Sequence, residues 1–114
     1  MYGLITKLTT VPQRRESVID SLVSGREIPK GCLSYVVARD PSGPDIVWVT
    51  EVWTDAEAHR TALHRPDIKA GFTEALSCIA TIHDPVITEP VRGVGLIQRE
   101  TEAETDASTA PSTT

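Results

Sequence analysis

Ile46 to Trp53, IVWVTEVW, limits the fold of this chain more than any other stretch. Side chains alternate across a strand, so Ile46, Trp48, Thr50 and Val52 share one side and Val47, Val49, Glu51 and Trp53 the other. Both sides are mainly apolar. A strand of that kind is stable only where both of its faces are covered. Turn chemistry precedes it in DPSGPD, Asp40 to Asp45, where Asp, Pro, Ser and Gly each favour reversal. Whatever surrounds it must therefore supply a layer on either side.

The rest of the chain offers one such layer. Tyr2 to Thr9 alternates as a first strand. Pro12 suits a first helical turn, Val18, Ile19, Leu22 and Val23 follow at helical spacing, and Gly25 is a C-terminal stop. Leu33, Tyr35 and Val37 alternate with Cys32, Ser34, Val36 and Ala38 as a second strand, which forms an antiparallel hairpin with the third. Thr54-Asp55-Ala56-Glu57 fits a capping box with Thr54 as N-cap. A short helix then runs to about Leu63. Pro66 opens another, with Ile68, Phe72, Ala75, Leu76 and Ile79 on one stripe, and His83-Asp84-Pro85 ends it. Val86 to Val91 is the last strand. The order β-α-β-β-α-β is the ferredoxin-like split pattern of an α+β domain, a four-stranded antiparallel sheet with helices on one face. No element remains for the other face. A second copy of the sheet is the economical cover, so a symmetric homodimer is expected.

Length and charge narrow the function. A chain of 114 residues is expected to form one domain hiding roughly 65% of its unfolded surface. Here it takes in residues 1–96, with 97–114 an acidic, Ser/Thr-rich, flexible tail. The net charge is −5. Residues 97–114 carry Glu100, Glu102, Glu104 and Asp106 against Arg99, a net −3, leaving −2 for the body. With no Lys/Arg cluster, nucleic acid is not an expected partner; the pair Arg14-Arg15 reads as a solvated helix face. No apolar run approaches the ~20 residues of a membrane span. MYGLITKLTT lacks the charged lead and apolar block of a signal peptide. Cys32 and Cys78 are too isolated for a metal or redox motif, which suits reduced thiols and a cytoplasmic location.

Candidate chemistry gathers after strand three. Glu51 and Trp53 share a face with Val49. On the next helix Ala58, His59, Ala62 and Leu63 make the inward arc, while Glu57, Arg60 and Thr61 point outward. One helical turn is about 5 Å of rise, which sets His59 near Trp53 if that face is the covered one. Two ionisable groups aimed into one region signal a pocket. The plain alternatives stay open: Trp53 as core packing, His59 as a half-buried, satisfied histidine, Glu51 as a carboxylate with a structural partner. There is no P-loop, GxGxxG, HExxH or nucleophile elbow, and His59, His64 and His83 lack metal-ligand spacing. His64 reads as a loop residue, and His83 as one that caps a helix end.

PKGCLSYVVARDP, IVWVTEVWTDAEAH and RPDIKAGFTEAL resemble the antibiotic biosynthesis monooxygenase domain family over about Tyr2 to Val91. The resemblance implies dimeric α+β barrels of ferredoxin-like subunits. It also implies oxygenation of phenols, quinols or polyketide anthrones by O2 without metal, flavin or haem, in which the electron-rich substrate loses a phenolic proton in a dry pocket. Trp53 then matches the family's pocket tryptophan. His59 falls where a pocket tyrosine stands in the polyketide oxygenases, and Val49 where they carry an asparagine. The expected roles are Trp53 as aromatic wall, His59 as proton acceptor or relay and Glu51 as orienter of His59 or of the substrate, with Tyr35 and Val49 also contacting substrate. The positions comparable to the haem-degrading relatives' asparagine, tryptophan and histidine, Lys7, Ala62 and Phe72, match none of them, which argues against haem degradation. A ligand-binding barrel without catalysis, a stress-related scaffold and an isomerase remain as other readings.

Overall fold

The first strand, β1 (Tyr2–Thr10), is central to the sheet because both neighbours need it. In the computed structural model, which describes residues 1–23 and 27–96, β1 pairs antiparallel along its full length with β3 (Ile46–Trp53), from Tyr2 opposite Trp53 to Thr9 opposite Ile46. The hairpin partner β2 (Cys32–Arg39) forms the outer edge beyond β3. On its other side β1 meets β4 (Ile79–Ile82) near Leu8–Thr10 and β5 (Val86–Thr88) near Gly3–Ile5. The order is β2-β3-β1-β4, with β5 also on β1, the split β-α-β-β-α-β arrangement of the α+β class.

Five strands replace the expected four. Ile79 belongs to β4 and not to the preceding helix stripe: α3 (Pro66–Leu76) stops with Ser77 as C-cap, and the chain turns at once to pair with β1. The β-branched Ile79, Thr81 and Ile82 favour that extended course. Together β4 and β5 occupy one edge, interrupted at Asp84-Pro85, where proline has no N–H for the ladder. His83 caps no helix. Its backbone N–H donates to Lys7 O at 3.0 Å and its Nε2 lies 2.9 Å from Thr9 Oγ1, pinning that interruption to β1.

The first helix, α1 (Arg15–Val23), begins three residues after Pro12, because Gln13 takes a left-handed φ of 69° and breaks the turn. Gly25 lies outside the described residues, as does the tail 97–114. Arg15 is not on a solvated face. Its guanidinium donates to the carbonyls of Asp40 (3.3 Å), Gly43 (2.7 Å) and Ile46 (3.4 Å), tying the β2–β3 turn to α1. The helix α2 (Ala56–Ala62) is capped by Asp55 rather than Thr54, its side chain accepting from Ala58 N–H at 2.7 Å. A cap of that kind is worth about 1 kcal/mol.

Helices cover only one face of the sheet, and they cover it unevenly. Under α1 and α3, Leu8, Val18, Leu22, Val47, Val49 and Ala75 form one buried cluster. Under α2, Cys32, Trp53 and Ala62 form a second, with Tyr2, Ala58 and Ile68 packed against it. The opposite face presents the row Val36, Thr50, Ile5 and Val86, directly opposed residues on successive strands. Val36 and Val86 are exposed there, and Trp48 on the same face is tied to Asp40 by an indole hydrogen bond of 2.9 Å.

Candidate functional site

Between the two buried clusters lies a cavity of about 590 Å³, lined by members of both. Its floor is the helix-covered face of the sheet, where opposed residues form rungs: Cys32, Trp53 and Tyr2; then Tyr35, Glu51, Leu4 and Ile87; then Val49 and Thr6. Its wall is α2 and α3, with Leu22 and Val23 from the end of α1. The join between strand and α2 is close because Gly31, with φ of 85°, accepts the Thr54 N–H at 2.9 Å. A Cβ there would stand 2.6 Å from Ala58 Cβ, so only glycine lets the helix sit this near β2.

That placement carries His59 to Glu51 and Trp53. The Trp53 indole N–H donates to Glu51 Oε1 at 2.9 Å, a bond between residues two apart on one strand face. His59 Nε2 lies 3.7 Å from the same oxygen, an ion-pair distance rather than a hydrogen bond. The imidazole meets the Trp53 ring edge-on, centroids 5.2 Å apart, and is tilted against the Tyr2 ring at 5.7 Å. Glu51 and His59 side chains are 12% and 19% exposed.

Burial works on both titrating groups. Desolvation pushes the Glu51 carboxyl up from its ordinary 4.5, with the Trp53 hydrogen bond pulling the other way. Desolvation also pulls the His59 imidazole down from 6.5, helped by the nearby Arg60 charge. Burial thus opposes the charged form of each group, and the two values move toward each other.

Because its folded-state pKa is raised, Glu51 favours the folded chain below its ordinary 4.5, and this contribution is lost as pH rises through the raised value. Glu51→Gln keeps the shape and cannot ionise. Its melting temperature is therefore expected to exceed wild type at about pH 8 and to converge with it toward about pH 4. Melting curves across that range check this; a variant less stable at the higher pH contradicts it.

All five residues expected at the site, Trp53, His59, Glu51, Tyr35 and Val49, line this one cavity. Cys32 lines it too, against expectation: the register shifts between Cys32 and Ser34, and that irregularity puts Cys32 on the Tyr35 side. Its thiol faces Ser34 O at 3.8 Å, and burial raises its pKa, keeping it protonated. Gly31 before it, in a left-handed conformation, is the sequence signal that regular alternation fails there. Of the haem-related positions, Ala62 and Phe72 line the cavity, but Lys7 lies on the other face, over Trp48 at 5.9 Å. Thr6, not Lys7, is the β1 residue at that level. His64 sits in the turn after α2, its Nδ1 2.9 Å from Arg60 O. Among the described residues, no group of three or more His, Cys, Asp or Glu is placed to hold a metal ion, and no helix is long and apolar enough to cross a membrane.

An antiparallel split β-α-β-β-α-β sheet with a largely apolar cavity under its helices defines a ferredoxin-like α+β protein. Residues 1–74 match the model of the antibiotic biosynthesis monooxygenase family, and the chain belongs to that family. A Chloroflexus aurantiacus J-10-fl protein provisionally described as an antibiotic biosynthesis monooxygenase is 41% identical, with TM-score 0.79, over 83% of this chain and 97% of that one. A similarly described protein of Deinococcus radiodurans shares 20% identity over 86% of this chain and 100% of its own, with TM-score 0.68. At that identity the likeness concerns the fold. No protein of curated function matches the sequence.

Proposed function

We propose that the cavity is the active site of a cofactor-independent monooxygenase that oxidises a small quinol or polyphenol with O2. The observation that carries this is the convergence of Trp53 Nε1 and His59 Nε2 on one oxygen of the largely buried Glu51 inside a cavity of ligand size. Neutral His59 accepts the phenolic proton. Glu51, held in place by the Trp53 N–H, stabilises the imidazolium that results, and the Trp53 and Tyr2 rings give the substrate ring apolar walls. The electron-rich phenolate then reacts with O2. One oxygen atom enters the ring, the other leaves as water, and the ring supplies the electrons as it passes from quinol to hydroxyquinone. Tyr35, on the rung of Glu51, and Val49 complete the substrate contacts.

Aerobic incubation with a set of hydroquinones, following oxygen uptake, tests the reading. Consumption that scales with protein and exceeds a protein-free blank supports it; none across the set overturns it. A second reading, ligand binding without turnover, is favoured by Val49. This residue is buried and apolar where the polyketide oxygenases carry a polar asparagine. Thermal stabilisation by quinols with no oxygen consumption would establish that alternative.

The row Val36, Thr50, Ile5 and Val86, exposed at all but the half-buried Ile5, supports a homodimer built by packing this sheet face on that of a second copy. Val36→Lys would place a charge in that interface. It is expected to halve the mass measured by analytical ultracentrifugation while leaving circular dichroism unchanged; an unchanged mass sends the interface elsewhere.

A further inference from the structure

We infer that the cavity selects uncharged aromatic ligands carrying an alkyl extension, and that Glu51 is the specificity-determining residue that rejects ligands with a fixed anionic group. This rests on the proposed function only in taking the cavity as the site where an aromatic ring binds.

The charge part comes from the lining. Among the described residues, no lysine or arginine lines the cavity, while Glu51 and, toward the rim, Glu27 do. The hydrogen-bond donor nearest Glu51, the Trp53 N–H, is already spent on it. A ligand carboxylate or phosphate entering here would lose its water, meet no cation and face a buried carboxylate at close range. A phenol is different. When it gives its proton to His59, that proton stays in the cavity, so net charge does not change and Glu51 faces an imidazolium. The same carboxylate that assists a neutral phenol therefore opposes a permanent anion. A cationic ligand would meet Glu51 but would give up its own water against walls that are mostly apolar.

The extension comes from size and the character of the mouth. An apolar cavity of about 150 Å³ suffices for benzene, and this one, at about 590 Å³, is some four times larger. One ring seated against Trp53 and His59 leaves most of it unfilled. The lining also includes Ile68, Leu63, Phe72, Ile82 and Ile87, of which the last four are exposed. An alkyl chain laid along those side chains takes them out of water.

The test is anaerobic calorimetric titration at about pH 8, where the free-acid probe is ionised. The probes are methyl 2,5-dihydroxyphenylacetate, the free acid 2,5-dihydroxyphenylacetate, 2-(2-aminoethyl)hydroquinone, methylhydroquinone and decylhydroquinone. The ester should bind at least about tenfold more tightly than the acid, and decylhydroquinone about tenfold more tightly than methylhydroquinone. Glu51→Gln should shrink the ester-to-acid ratio to about threefold or less by admitting the acid. Equal binding of ester and acid, a ratio unchanged in Glu51→Gln, or tightest binding by the amine overturns the charge assignment; equal binding of the two alkyl hydroquinones overturns the extension. Anaerobic selectivity without aerobic oxygen uptake would sink the oxygenase reading and leave this one standing. Turnover of the free acid as fast as the ester would do the reverse.

Discussion

His59→Ala is expected to lower the turnover of any quinol the protein oxidises by about 10²–10⁴-fold, the range lost with a positioned general base. The fold should survive the change. The imidazole sits at the cavity edge of α2 beside the small Ala58 and Ala62, and the helix is held by the Asp55 cap and the Gly31 contact, not by the ring. Wild-type kcat/KM should rise with pH as His59 loses its proton, with a midpoint below the ordinary 6.5, since burial and Arg60 both disfavour the imidazolium. That limb should vanish in His59→Ala, while far-ultraviolet circular dichroism stays unchanged. Turnover within about threefold of wild type, with the same pH limb, would remove His59 from proton transfer and leave the ring as packing.

Why this site could be read in part from sequence is a matter of periodicity. Val49, Glu51 and Trp53 had to share a face because a regular strand repeats every two residues, and β3 is regular over its whole pairing with β1. His59 had to follow one turn into the next helix, and a two-residue link left it nowhere to go but over that face. Cys32 escaped because the register shift in β2 breaks the parity on which the argument depends. Ile79 escaped for a different reason. After Phe72 and Leu76 its spacing fits a helix stripe, and only the free edge of β1, a partner far away in sequence, decides that it pairs as strand. Thr54 and Asp55 are both competent caps, and which one served depended on where the strand released the chain. Arg15 looked like a surface cation because nothing local marks the three turn carbonyls that it gathers from Asp40, Gly43 and Ile46. Local pattern thus carried β1, β3, the hairpin and the core of the site. Long-range pairing set the fifth strand and the cavity's remaining lining.

The largest stability effect is expected from Trp53→Ala, a loss of about 3–5 kcal/mol. Trp53 is 3% exposed and anchors the smaller buried cluster with Cys32 and Ala62. Few neighbours there are large enough to collapse into the space, and the adjoining cavity already leaves that end of the sheet thinly packed. A domain of this size has about 5–15 kcal/mol in total, so the alanine variant should melt well below wild type and unfold at lower urea. Trp53→Phe separates packing from hydrogen bonding. It keeps most of the ring and loses the N–H that donates to Glu51 at 2.9 Å. That bond pulls the Glu51 pKa down against desolvation, so its loss lets the carboxyl rise further. The phenylalanine variant should therefore fold, yet lose stability more steeply than wild type as pH rises from about 5 to 8, because an uncompensated buried charge then forms. The added steepness should disappear when Glu51→Gln is combined with it. A Trp53→Ala melting temperature within a degree or two of wild type would mean that the indole carries no packing. A Trp53→Phe pH profile parallel to wild type would mean that its N–H does not hold the carboxylate.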